Sequence, residues 1–399
     1  MTDLNDLKFK RINLSYLSRV DWILVMLIAI LATISITLIQ SAMTSGQYGT
    51  NFAIRQFYFY IFGFFIAFIL MIIPFRLFRE YIWLIYGLGI FSLLFLHFSP
   101  FDSITPIING AKSWYQFGFF SIQPSEFMKI IYILTMSYVI SQHNKYKQHN
   151  SLNMDVRLLI KLGLVSIVPM ILILMQNDLG TTLVMLAIFF GMVVVSGISW
   201  WIILPVVFMV GTVGLSLILG ILYRPDLINK LGIHSYQLDR IYSWLRPEDY
   251  GSDIGFQLMN SLIAIGSGGA RGRGYADGII YIPENHTDFI FTIVGEEFGF
   301  IGTTIVVILL FLLLVHLIRI SLATKDSFGS YFIIGYISLL FFHIFQNIGM
   351  TIQILPITGL PLPFISYGGS GLWANMVGIG IVLSIYFYQV DERKRKRLI

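Results

Sequence analysis

Residues 179–222 read LGTTLVMLAIFFGMVVVSGISWWIILPVVFMVGTVGLSLILGIL, with no Asp, Glu, Lys or Arg in the run. A bilayer span takes about 20 apolar residues, so this stretch holds two, at 180–198 and 201–222. Outward from this pair, comparable runs recur at 22–41, 57–74, 81–98, 125–142, 157–175, 288–318, 330–352 and 367–390. The expectation is an all-α integral membrane protein of about ten transmembrane helices. The run at 22–41 is too long for a cleaved signal peptide, and further spans follow it.

Composition agrees. Of 399 residues, 56% are hydrophobic, 16% aromatic and 12% charged, and the mean hydropathy is +0.79. Soluble domains carry about 25% charged residues, so a soluble enzyme is excluded. There are no cysteines, which removes disulfides, thiolate chemistry and Cys-ligated metals. The seven His lack an HExxH-type spacing, which argues against a structural zinc. The net charge of +5 follows from membrane topology and implies no nucleic-acid partner.

The charges cluster in 1–21, 223–288 and 391–399. With both termini cytoplasmic, Lys and Arg accumulate on the inner side, while the short outer loops hold only Arg55 and Lys112, a strong positive-inside bias. The expected plan is a cytoplasmic segment 1–21, a membrane domain 22–390 and a basic cytoplasmic tail 391–399. Between helices 7 and 8 lies a large extracytoplasmic loop, 223–287, whose aromatic and apolar content suggests a segment that dips into or lies on the membrane. No internal repeat is evident.

Ionisable groups in or beside spans are costly and mark candidate sites. Glu126 and Lys129 are i,i+3 on one helix face and can neutralise each other, either as a structural pair or as the wall of a polar cavity. Asp288 sits where the long loop re-enters the membrane. It can cap the following helix, as Thr287 can, or act chemically. Glu296 and Glu297, two turns deeper, read as packing partners. The turn Gly266–Gly274, with Arg271 and Arg273, offers backbone N–H groups and guanidinium forks suited to pyrophosphate, but it serves equally as a plain surface turn. A second Gly-rich turn with Ser366 and Tyr367 opens the last span on the same outer side.

Four motifs in order then form a recognisable pattern: Trp114-Tyr-Gln-Phe-Gly118; Gln123-Pro-Ser125-Glu126-Phe-Met-Lys129; Ile282-Pro-Glu284-Asn-His286-Thr287-Asp288-Phe-Ile-Phe291 with Gly295-Glu-Glu-Phe-Gly299; and Pro361-Leu-Pro-Phe-Ile-Ser366-Tyr367-Gly-Gly-Ser370. Together they resemble the SEDS family (shape, elongation, division and sporulation) from first span to last. Gln257–Gly269 is closer to its RodA elongation branch than to its FtsW division branch. The resemblance implies a peptidoglycan glycosyltransferase that polymerises lipid II at the outer face of the bacterial cytoplasmic membrane, paired with a class B penicillin-binding protein. It makes Asp288 the essential acid, Trp114 a second functional position, and Glu126 with Lys129 the family's buried ion pair. Lys112, Gln123, Ser125, Glu284, His286, Thr287, Ser366 and Tyr367 join Trp114, Glu126, Lys129, Arg271 and Arg273 as expected substrate-binding positions.

The chemistry fits these residues. Converting an α-linked sugar pyrophosphate to a β-glycoside inverts the anomeric centre, so one base suffices, and Asp288 is the candidate to deprotonate the acceptor 4-hydroxyl. Charge stabilisation of the leaving pyrophosphate can come from Arg271, Arg273, Lys129, or a divalent cation (Mg or Mn) held by Asp288 and a neighbour. Trp114 either stacks on a sugar or anchors its loop. Two alternatives are a flippase for the lipid-linked precursor and a scaffold that activates the penicillin-binding protein.

Overall fold

The computed structural model describes residues 18–396 apart from 45, 48, 102, 108–110, 119, 147–151, 224–234 and 251–253. Within them lie α1 (Trp22–Met43), α2 (Phe52–Ile72), α3 (Phe75–Glu80), α4 (Ile82–Phe98), β1 (Tyr115–Phe117), β2 (Phe120–Ile122), α5 (Pro124–Lys145), α6 (Leu152–Met175), α7 (Leu179–Val195), α8 (Trp200–Tyr223), α9 (Ser235–Leu245), α10 (Ile254–Gly268), α11 (Ile290–Ala323), α12 (Ser327–Thr351) and α13 (Gly369–Lys396). Side-chain carboxylates and amides start several of them: Asp21, Asn51, Asp178 and Asp326 each accept a first-turn N–H, at 3.0, 3.1, 2.9 and 3.0 Å. These caps satisfy donors that an apolar span cannot. Pro124 occupies the first turn of α5, where its missing N–H costs nothing.

Each of the ten expected spans coincides with a helix, but the helices are not equivalent. Among the described residues six are long and apolar enough to cross a membrane (α1, α2, α6, α11, α12, α13), and α4, α7 and the first part of α8 are shorter apolar helices. The helix α5 is the exception, mixing polar with apolar side chains and buried on most sides. The chain is a multi-pass membrane protein built around this helix, which packs against α4, α6, α7, α12 and α13. The helix expected at 288–318 begins at Ile290 and changes direction at Gly299 (φ 61°, ψ −156°).

Two details add to the expected plan. Beside the helices, β1 and β2 form a short antiparallel hairpin pairing Tyr115 with Ile122 and Phe117 with Phe120. Within 223–287 the described part folds into α9, a short 3-10 turn at Pro247–Tyr250, and α10. The reason for the second is packing: α10 lies along α11, and Ser261 of α10 bonds both Thr292 Oγ1 (2.8 Å) and the Thr351 carbonyl (2.9 Å).

The bundle has two distinct ends. At one, the Asp21 carboxylate meets His316 Nε2 at 2.9 Å and Arg79 meets Asp326 at 3.6 Å. At the other lie the hairpin, the start of α5, the turn before α13 and Asp288.

Candidate active site at the entrance to helix α11

Between α12 and α13 the chain runs without regular structure from Ile352 to Gly368, largely buried. Such backbone survives at membrane depth only when protein groups satisfy its carbonyls. Here they do so residue after residue. Arg240 Nη1 donates to the carbonyls of Thr358 (2.8 Å) and Ile357 (3.4 Å), and Asn347 Nδ2 to that of Leu360 (2.8 Å). The His343 ring meets Pro361 O at 3.2 Å, Tyr60 donates to Phe364 O, and Ser35 to Ile365 O (2.7 Å). Gln56 donates to Ser366 O (3.3 Å) while its own carbonyl accepts from Gly368 N. Three helices (α1, α2 and α12) and α9 thus clamp one loop.

Asp288 stands against this loop. Its backbone carbonyl accepts from the same Asn347 amide at 2.7 Å. Gly359 (φ +72°) lies between its carboxylate and Arg240: a Cβ there would make ordinary contact with both, 3.7 Å from Asp288 Oδ2 and 3.9 Å from Arg240 Nη2. The Thr287 hydroxyl lies 2.7 Å from Glu284 O and 3.0 Å from Asp288 Oδ1, so one proton is shared between two acceptors. The cap of α11 is Phe289, and no side chain serves it; the carboxylate is therefore not spent as a helix cap. Burial pushes the Asp288 carboxyl above the usual carboxylate range, while the Thr287 hydrogen bond and the Arg240 charge pull it back. The result is a half-buried acid whose basicity is enhanced but whose anion retains partners.

Beside it, His286 stacks on Phe52 at 4.6 Å and 8° and lies 5.3 Å from the Tyr367 ring, while Tyr367 N donates to His286 O at 2.9 Å. Burial lowers the His286 pKa to about 4, so the ring is neutral at pH 7 and its 3.9 Å approach to Glu284 is not an ion pair. Arg55 supports Tyr367, offsetting the rise that burial imposes on the phenol.

A second polar group lies at the start of α5. Lys129 Nζ donates to Glu126 Oε1 at 2.8 Å and reaches His343 Nε2 at 3.1 Å. A carbonyl can only accept, so the His343 nitrogen facing Pro361 carries the proton and Nε2 accepts from the ammonium. This chain ties the Glu126–Lys129 pair to the buried loop two residues past Gly359. Gln123 N donates to Ser370 Oγ (3.1 Å), Gln123 Nε2 to Asp178 (3.0 Å), and Ser370 Oγ to Ser121 O (2.9 Å), so the second and fourth motifs form one surface. Ser125 Oγ is buried with no hydrogen-bond partner among the described residues. Ser366 closes its own turn by accepting from Leu362 N at 2.8 Å. Lys112 donates to Ser99 O at 2.5 Å, and half-buried Trp114 precedes β1 in a loop held by Ser113 on Gln176 O (3.3 Å) and by Tyr115 on Ser92 O (2.8 Å).

Arg271 and Arg273 are not gathered with Asp288. Their turn docks on the backbone of 295–299: Arg273 N donates to Glu296 O and Gly274 N to Glu297 O, both at 3.0 Å. That level is about 12–14 Å along α11 from Asp288. The glycines there serve packing, since a Cβ on Gly268 would meet Gly295 O at 2.0 Å and one on Gly272 would meet Glu297 O at 2.1 Å. The cation that does face Asp288 is Arg240, which the motif reading missed. Its signal was spacing: Arg240 and Trp244, i,i+4 on α9, both bond the 353–358 segment, Trp244 Nε1 donating to Gln353 O at 3.0 Å. Asn347 was equally hidden, being one polar residue in an apolar helix. Among the described residues no three metal-ligating side chains gather, and Arg240 puts a positive charge beside Asp288.

The fold and this site describe a polytopic helical enzyme scaffold with a half-buried acid, Asp288, just ahead of α11. The family model FTSW_RODA_SPOVE, described as cell cycle protein, matches residues 16–390, and the chain belongs to that family. It is 35% identical over 376 residues to stage V sporulation protein E of Bacillus subtilis, covering 92% of this chain and 97% of the relative. It is 33% identical over 383 residues to a probable peptidoglycan glycosyltransferase FtsW of Geobacter sulfurreducens, covering 94% and 97%. Peptidoglycan glycosyltransferase RodA of Treponema pallidum is 33% identical over 342 residues, covering 70% and 77%. A solved structure described as structural coordination of polymerization and crosslinking by a peptidoglycan synthase complex aligns with a TM-score of 0.72 at 27% identity, over 92% of this chain and 97% of that one.

Proposed function

We propose that this peptidoglycan glycosyltransferase polymerises lipid II with Asp288 as its general base. The half-buried carboxylate of Asp288, raised in basicity and flanked by Arg240 across Gly359, is the observation that carries the reading. In the step proposed, the acceptor 4-hydroxyl attacks the anomeric carbon of the donor and its proton passes to Asp288. The new C–O bond forms on the face opposite the breaking bond, and undecaprenyl pyrophosphate leaves with the electron pair. Inversion needs only this one base. Arg240 is the cation proposed to steady negative charge as the pyrophosphate departs, a role for which the sequence offers Arg271, Arg273, Lys129 or a divalent cation. Lys129 is committed to Glu126 and His343, which makes it a fixed charge behind the loop.

The outer face is the side proposed for the site, with both termini cytoplasmic: Asp21 and the described end of α13 lie at the end of the bundle away from Asp288, and the basic residues of 1–21 and 391–399 favour the cytoplasm. A class B penicillin-binding protein is the proposed partner, and cell-wall elongation the proposed context. Purified Asp288→Asn should retain lipid II binding and make no glycan polymer; polymer at the wild-type rate from that variant would overturn the assignment. Reconstituted liposomes separate transport: labelled lipid II translocated without polymer favours a flippase. Polymer formed with the partner's own active site blocked excludes a purely scaffolding role.

A further inference from the structure

At the end of the bundle away from Asp288, a groove of about 710 Å³ opens between α4, α5 and α6. Its residue Tyr138 lies three turns beyond Glu126, about 18 Å along α5, so the groove is separate from the site described above. Three features define its chemistry. Arg157 and Lys161 stand i,i+4 on one face of α6, both exposed, and among the described residues neither meets a carboxylate. Trp83 packs edge-on against both Tyr86 and Tyr138 at 6.1 Å, and Tyr86 anchors this aromatic wall by donating to Val165 O at 2.7 Å across the groove. Beyond the cations the lining turns aliphatic, and Leu164 is 65% exposed.

Cations at one end, an aromatic girdle and an apolar floor reproduce the polarity gradient of a lipid at the membrane interface. A small water-soluble anion would use only the cations, and a zwitterionic lipid would bring its own cation up against Arg157 and Lys161. We propose that this groove binds an anionic glycerophospholipid of the leaflet opposite Asp288. Arg157 and Lys161 hold the headgroup phosphate, and an acyl chain lies over Leu164. The site requires no step of the glycosyl transfer and stands independently of that reading.

The test uses the full chain purified in a neutral detergent and stripped of lipid, then titrated with phosphatidylglycerol or phosphatidylcholine while bound lipid is counted by native mass spectrometry. The wild type should retain phosphatidylglycerol in preference to phosphatidylcholine, and Arg157→Gln/Lys161→Gln should weaken that retention about tenfold, as expected for two interfacial cations. The basic termini are the same in both proteins, so the difference reports the groove. Arg157→Lys/Lys161→Arg should behave as wild type, which separates lost charge from lost folding. Equal retention by wild type and the Gln variant, or no preference between the two lipids, would overturn the proposal. So would displacement of phosphatidylglycerol by millimolar inorganic phosphate, which would mark a simple anion site.

Discussion

Helices α5 and α8 are nearly the same length and opposite in every other respect. The former buries Glu126, Lys129, Thr135, Ser137 and Ser141 among its inward residues, with Lys129 only 1% exposed. The latter is almost wholly apolar and turned outward, with Trp201 85% and Phe208 74% exposed. A bilayer is as apolar as a Leu side chain, so burial of apolar surface does not sort residues here as it does in water. Polar groups gather inside because hydrocarbon offers them no partner, and they hold the helices where the chemistry needs them.

The sharpest way to break this comparison is to remove one interior charge. Lys129→Met strands Glu126 without its ammonium and should cost about 3–5 kcal/mol, read as a large fall in unfolding midpoint in detergent. Glu126→Gln added to it should recover much of the loss. If Lys129→Met is as stable as wild type, the buried charges are not what organises the interior. Next in size, Gly272→Ala forces a Cβ onto the Glu297 carbonyl at a residue with φ +82°, and should cost about 1–3 kcal/mol by overpacking, measured in the same way.

A smaller stability effect with a larger functional one is expected at Arg240. Its charge holds the Asp288 pKa down against burial, so Arg240→Gln should raise that pKa further. The base must be ionised to act, so the acid limb of the activity profile should move to higher pH in the variant, as a polymerisation assay across pH would show. An unmoved limb would sever Arg240 from the acid. Smallest of all, Phe208→Ala on the lipid-facing side of α8 should change stability by no more than about 0.5 kcal/mol. A loss comparable to that of Lys129→Met would mean that α8 packs against a partner at that face.

The same contrast explains what could be read in advance. Apolar runs such as 179–222 announce themselves because a span must be continuous, and Asp288, Glu126 and Lys129 stand out because charges are scarce in such a chain. The role of the two Gly-rich turns could not be read. The first looks like a flexible anion cradle, yet Gly268 and Gly272 turn out to admit the backbone of 295–299, while the turn before α13 closes on Gln123 through Ser370. Glycine reports that something comes close, and only the fold says whether it is a ligand or the protein's own chain.

By itself the sequence determined that the chain lives in a membrane, how its spans are spaced, and which few charges are too costly to be accidental, since hydrocarbon length and ion solvation act locally along the chain. Tertiary structure alone decided that Arg240, Asn347 and Gly359 surround Asp288 and that Arg271 and Arg273 do not. Those contacts join residues separated by 48 to 71 positions in sequence, on segments whose packing no local pattern encodes, so the partner of the acid becomes visible only when the helices are assembled.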